Sequence, residues 1–211
     1  MEKIDKKIFE QIFKSISAEM DSAKEELIEL DGAMGDGDLG LTMSNGFQAV
    51  AAECEAQAET DIGKLFMKLG MKMNSTVPST MGTLISTCLM KAAPAAKGKT
   101  EIDLSDLAAM GEGALNGVME RGGAKPGDKT MLDALAPAVE ALKQAAAEGK
   151  DITAGAEAAA AAAEKGAEGT KELQSVHGRA AYYREKSVGR QDPGATAMAH
   201  IMRGFANGVK A

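Results

Sequence analysis

Between Leu30 and Gly40 the chain sets Asp31, Asp36 and Asp38 among Gly32, Gly35, Gly37 and Gly40. Asp and Gly are weak helix formers, so the stretch reads as a break between two helical patterns. Two carboxylates one residue apart, with a third five residues earlier, converge on one point only where the backbone turns tightly. Glycine permits such a turn. Hard oxygen ligands on a short turn suit Mg²⁺ or Ca²⁺ rather than zinc. An EF-hand does not fit. Counted from Asp36, position five is Gly40 and position twelve is Phe47, where that loop needs an oxygen ligand and a bidentate Glu. Mg²⁺ typically uses few carboxylates, keeps waters and takes phosphate oxygens as further ligands. An acidic loop that only caps a helix would read the same on this stretch alone.

Three further segments carry chemistry-bearing residues. Gly122–Thr130 looks at first like a Walker A loop, but Asp128 interrupts the Gly-Lys step and a helical pattern precedes it, so that reading fails. A basic loop entering a helix N-terminus remains, which suits an anion, although a plain inter-helix connection explains it equally well. Asp192-Pro193-Gly194 has the form of a helix start, with Asp at the cap and Pro in the first turn. Just before it lie Arg179, Arg184, Lys186 and Arg190. Cations beside an acidic metal turn make sense where phosphates lie between them, and Arg grips phosphate with paired hydrogen bonds. His177 and His200, the only histidines, have no Cys or second His at ligand spacing. They support neither zinc nor a Ser-His-Asp set.

The elements that must position these residues are helices. Ile4, Ile8, Ile12, Ile16, Met20, Ala23, Leu27 and Leu30 recur at helical spacing and predict one long amphipathic helix over 3–30. Further helices are expected over 41–58, from an Asp61 cap through Met71, over 84–91, from an Asp103 or Ser105 cap to Arg121, over 130–148 with a kink at Pro137, over 151–173, and from Asp192 nearly to the C-terminus. The Ala156–Ala163 tract reads as close helix packing. No stretch shows sustained strand alternation, so the fold class is all-α with about eight helices. Successive antiparallel helices put every second connection at the same end of a bundle. The acidic turn, Ser79–Gly82, Gly122–Lys129 and Arg179–Gly194 are all such connections, and they are the richest in Gly, Ser/Thr, Asp and cations. The pattern predicts one shared site.

The whole chain sets bounds on that site's partners. A chain of 211 residues with net charge −7 and a pI near 5.0 is long enough for a real core and argues against nucleic acid or an anionic membrane as its main partner. Cys54 and Cys88 lack CxxC spacing and sit in apolar patterns, as reduced core thiols do. With no apolar run of membrane-spanning length and no signal peptide at Met1-Glu2-Lys3, a cytoplasmic protein is expected. The absence of a long exposed heptad pattern favours a monomer that docks transiently.

Four ordered motifs resemble one family: Met34–Gly40, Lys125–Met131, Gly178–Tyr182 and Gly189–Thr196. The family is the nucleotide-binding L subunit, or DAK2-type domain, of dihydroxyacetone kinase, and the likeness spans essentially residues 1–211 as one domain. It implies a closed up-and-down barrel of eight antiparallel helices with ADP or ATP at one end. By the same resemblance Asp31, Asp36 and Asp38 hold Mg²⁺, and Leu39, Gly40, Leu41, Thr42, Thr80, Met81, Gly122, Met131, Arg179, Asp192, Pro193 and Gly194 line the nucleotide. The implied activity is phosphoryl transfer to dihydroxyacetone held by a separate sugar-binding subunit, so this chain is active only with partners. In the bacterial three-subunit form, ADP stays bound and is rephosphorylated by a phosphotransferase-system subunit drawing on phosphoenolpyruvate. An ATP-exchanging kinase subunit for another small hydroxyketone, or a degenerate regulatory module, are the alternatives. The chain departs from the family pattern at Leu39 and Thr42. It also departs at Pro78-Ser79-Thr80-Met81-Gly82, where relatives usually carry a glycine pair, a small residue and Ser-Gly.

Overall fold

The isoleucine stripe at the start of the chain forms a helix, but not a single one. The computed structural model describes residues Met1–Ala211. In it α1 (Lys6–Ser22) is capped by the Asp5 carboxylate, which accepts from the Ile8 N–H at 3.0 Å, and it buries Phe9, Ile12, Phe13, Ile16 and Met20. The chain bends at Ala23 and continues as α2 (Lys24–Gly32). The continuous helix expected over 3–30 is therefore corrected to two. The bend keeps Leu27 in the core and lets α2 lie across the first turn of α3. There a Cβ on Gly40 would come within 2.1 Å of the Lys24 carbonyl oxygen. Only a residue without a side chain permits that approach.

The remaining helices follow the expected order: α3 (Leu39–Ala56), α4 (Ile62–Thr76), α5 (Thr80–Ala92), α6 (Leu104–Gly122), α7 (Leu132–Ala147), α8 (Ile152–Gly169) and α9 (Pro193–Lys210). Asp61, Ser79, Asp151 and Asp192 each cap the helix they precede by accepting a backbone N–H, and Asp103 forms a full capping box with Asp106. These caps satisfy N–H groups that the first turn of a helix cannot. α7 runs through Pro137 as one helix. α8 stops at Gly169, earlier than expected, and a short 3-10 turn covers Thr170–Glu172. A two-residue antiparallel pair, β1 (Ile4–Asp5) with β2 (Glu101–Ile102), also forms. Two residues are too few to show alternation, so no sequence pattern announces it.

The core is aliphatic and small-residue rich, as the composition requires. Ala156, Ala159, Ala163 and Ala167 of α8 are all buried, and α8 packs on both α7 and α9. Each helix from α3 to α8 packs against its successor, and α1 packs against both α3 and α9. This alternation starts α3, α5, α7 and α9 at the same end of the molecule. Their first residues, Leu39, Thr80, Leu132 and Pro193, all border one cavity.

Candidate functional site

The acidic turn that ends α2 is held from within. The Asp31 carbonyl accepts from the Gly35 N–H at 2.5 Å, and its carboxylate Oδ2 accepts from the Leu39 N–H at 3.3 Å. Gly37, at φ +74°, makes the left-handed step that reverses the chain. Asp38 occupies the N-cap position of α3, yet its side chain makes no capping bond. Its carboxylate is thereby left to the cluster. One carboxylate oxygen from each of Asp31, Asp36 and Asp38 lies within 4.8 Å of the other two. Burial first, then the charges of Asp36 and Asp31, push the Asp38 carboxyl above its ordinary range, with Arg179 opposing. Like charges gathered this closely are costly unless a cation sits among them. The donor set is three hard oxygens on a short turn, and it fits Mg²⁺ with room for waters and phosphate oxygens.

Opposite the turn stands Arg179, whose Nη2 is 2.7 Å from Asp36 Oδ2. Both side chains are well exposed, so the pair adds little to stability. Its consequence is positional. A guanidinium with free donors is placed beside the metal turn, where a phosphate would lie.

All four sequence-predicted connections border a single cavity of about 1490 Å³. Asp31, Asp36, Asp38, Leu39, Thr80, Met81, Gly122, Met131, Arg179 and Pro193 line it. The helix starts of α3, α5, α7 and α9 direct their partial positive ends into the same space, as an anion site requires. At α5 the Ser79 hydroxyl accepts from the Gly82 N–H at 3.0 Å, which leaves the N–H groups of Thr80 and Met81 directed out of the helix end. The segment that departs from the glycine-rich family pattern thus still presents backbone donors.

Five further residues expected to line the nucleotide are not among those that border the cavity. Gly40 is buried against α2, Leu41 faces outward, and the Thr42 N–H is bonded into α3 by the Asp38 carbonyl. Gly194 packs beside Met131. Asp192 is buried as the α9 cap, its Oδ2 2.7 Å from the Ala195 nitrogen. Burial pushes its carboxyl up to about 7. Among the cations, Arg179 and Arg190 reach the cavity, whereas Arg184 and Lys186 are exposed elsewhere.

The basic loop expected to bind an anion is corrected at its last residue. Lys129 is only 4% exposed, and its ammonium donates to the carbonyls of Leu173, Ser187 and Arg190 at 3.1, 2.5 and 2.6 Å. It therefore has no donor left for a phosphate. Sequence reasoning also passed over Ser175, whose buried hydroxyl has no partner, and Gln191. Both border the cavity. Ser175 had no motif to mark it, whereas Gln191 lies within the Gly189–Thr196 motif but was given no role. His177 Nε2 lies 3.1 Å from Asp128 Oδ2, and His200 lies between Glu19 and Glu26 at 2.8 and 3.0 Å. His200 is buried between its two carboxylates, whereas His177 is partly exposed and borders the cavity.

Comparison with known proteins agrees with this geometry. The model of the DAK2 domain family matches residues 33–207, beginning just after Asp31. The chain is 39% identical over 186 residues, 88% of its length and 89% of the relative's, to the ADP-binding subunit DhaL of the PEP-dependent dihydroxyacetone kinase of Escherichia coli. It is 35% identical to D-erythrulose kinase of Mycolicibacterium smegmatis, covering 93% of this chain but 34% of that protein. Among solved structures it resembles the dihydroxyacetone kinase from C. freundii in complex with AMP-PNP and Mg²⁺, with a TM-score of 0.69 and 27% identity. That match covers 94% of this chain and 33% of that one.

Proposed function

The chain belongs to the DAK2 domain family, and from that premise we propose that it is the ADP- and Mg²⁺-binding subunit of a phosphoenolpyruvate-dependent dihydroxyacetone kinase. The observation that carries the reading is the convergence of three carboxylates, Arg179 and four helix N-termini on one cavity. Phosphoryl transfer asks a protein mainly to position phosphates and neutralise their charge. Thr80 and Met81 offer backbone N–H groups to phosphate oxygens, and Arg179 offers paired donors. Asp31, Asp36 and Asp38 would hold the metal. Mg²⁺ held by these carboxylates would help neutralise the charge that develops on phosphoryl transfer.

We read residues 1–211 as one DAK2-type domain, and the packing of α1 against both α3 and α9 supports a closed barrel of helices. The sugar is held by a partner subunit. Support for this comes from His200, whose two ring nitrogens are both engaged by Glu19 and Glu26 and which is therefore poorly placed to bind a sugar covalently. We further propose that the returning phosphate comes from a phosphotransferase-system subunit drawing on phosphoenolpyruvate, a reading in keeping with relatives named as PEP-dependent.

The nucleotide content of freshly purified protein tests the reading. With Trp absent and only Tyr182 and Tyr183 as tyrosines, the chain absorbs weakly and bound adenine dominates its ultraviolet spectrum. Near-stoichiometric ADP that survives dialysis is expected. A protein that arrives empty and takes up ATP only with Mg²⁺ would replace captive ADP with an exchanging kinase. One that binds neither nucleotide would overturn the assignment.

A further inference from the structure

The segment between α8 and α9, residues 173–190, lies along the cavity as a strap and carries Arg179 to the metal turn. Its interior is irregular. A 3-10 stretch over Arg179–Ser187 is interrupted at Arg184, whose φ is +49°. Such a strap has no helix or sheet ladder to fix it, so its position depends on a few specific bonds. Val176 and His177 bond to Asp128 and Gly189 bonds to the Lys171 carbonyl, and three more bonds meet at one atom. The Lys129 ammonium binds the carbonyl of Leu173, where the strap begins, and those of Ser187 and Arg190, where it ends. It thereby ties both ends of the strap to the loop that starts α7.

Two observations indicate that the side chain, not the backbone, decides what stands at this position. Lys129 has φ +59°, a conformation that glycine or asparagine adopts far more readily than lysine. A residue kept at a disfavoured backbone angle points to a demand made by its side chain. The ammonium is also buried with three neutral acceptors and no carboxylate in hydrogen-bond contact, which costs solvation that only good geometry offsets. Three donors meeting three acceptors is full use of the group.

We propose that Lys129 is a positioning residue for the proposed kinase chemistry. By pinning both ends of the strap, it sets where Arg179 stands against Asp36 and hence against the nucleotide phosphates. The inference rests on the nucleotide-binding reading for its functional consequence, but the pinning itself does not.

The test uses the full-length chain carrying Lys129→Met, Arg179→Ala, or both. Amide hydrogen exchange is followed along the strap, and ADP affinity is measured with Mg²⁺. Lys129→Met is expected to speed exchange at Ser175 and Gly189, whose N–H groups bond to Ser187 Oγ and the Lys171 carbonyl, while the interior amides of α8 and α9 stay protected. ADP affinity should fall about tenfold or more. The double variant should bind no worse than the weaker single variant, because one effect runs through the other. Additive losses, or a strap as protected in Lys129→Met as in wild type, would overturn the proposal. Should Lys129→Met not fold, Lys129→Asn, which suits the positive φ but is too short to reach the three carbonyls, decides by the same two readouts. Wild-type protection and affinity in that variant count against the pin. A wild-type protein that binds no nucleotide would sink the functional reading and leave the exchange experiment to judge Lys129 alone.

Discussion

At the scale of single residues, the metal turn is an arrangement of groups that repel one another. Asp38 forgoes the capping bond its position offers, and its carboxyl is raised by burial and by Asp36 and Asp31. A cation relieves that repulsion, so Mg²⁺ should raise the melting temperature of the nucleotide-free protein. Asp38→Asn removes one of the three charges. It should melt no lower than wild type without Mg²⁺, lose the Mg²⁺-induced rise, and lose Mg²⁺-dependent nucleotide binding. Thermal melts with and without the metal check all three. A variant that keeps the Mg²⁺ response would show that the cation binds elsewhere.

At the scale of an element, α9 begins on a buried carboxyl. Burial pushes Asp192 up to about 7, against the Ala195 N–H and the charge of Lys129, which favour its ionised form. The folded protein therefore keeps a proton that the unfolded chain releases near the ordinary Asp value of about 4. Between that value and the folded one, each rise in pH favours unfolding. The stability lost from this group is of order a few kcal/mol and is complete above about pH 7. Asparagine caps a helix as well as aspartate does and does not titrate. Asp192→Asn should thus flatten the fall in stability between about pH 4 and pH 7 and be the more stable protein at pH 8. Denaturant titrations at several pH values read this directly. Asp192, expected to line the nucleotide, also caps α9 through Oδ2.

At the scale of the molecule, the site exists because the helices alternate direction. That alternation delivers four helix starts and four irregular connections to one end, and the seam between α1 and α9 holds the arrangement. The seam is tight. A Cβ on Gly208 would lie 2.5 Å from the Ile12 Cα, and one on Gly204 would lie 2.7 Å from the Ile16 Cα. Backbone cannot yield as a flexible side chain does, so Gly208→Ala must push the two helices apart. A loss of about 1–3 kcal/mol is expected, which for a chain of this size lowers the melting temperature by roughly 2–4 °C per kcal/mol. The shift should appear in one cooperative transition that includes the nucleotide end. A separate early transition of α9 alone would contradict closure of the helices at this seam.

Much of this protein is legible in the sequence for a physical reason. Helical periodicity and capping are local, so Ile4 to Met20, Asp61, Asp103, Asp151 and Asp192 announce their helices without help from the fold. The acidic turn is local too, because Asp31, Asp36 and Asp38 lie close in sequence and glycines let them close in space. The pooling of four connections follows from counting helices. Non-local packing decided the rest. The bend at Ala23 depends on how α2 meets Gly40, and the β1–β2 pair depends on contact between residues about a hundred positions apart. Lys129 looked like a free cation for phosphate because its partners are backbone carbonyls far along the chain, which carry no sequence signal. Whether a charged side chain faces solvent, a ligand or the protein's own carbonyls is settled only when distant segments fold onto it.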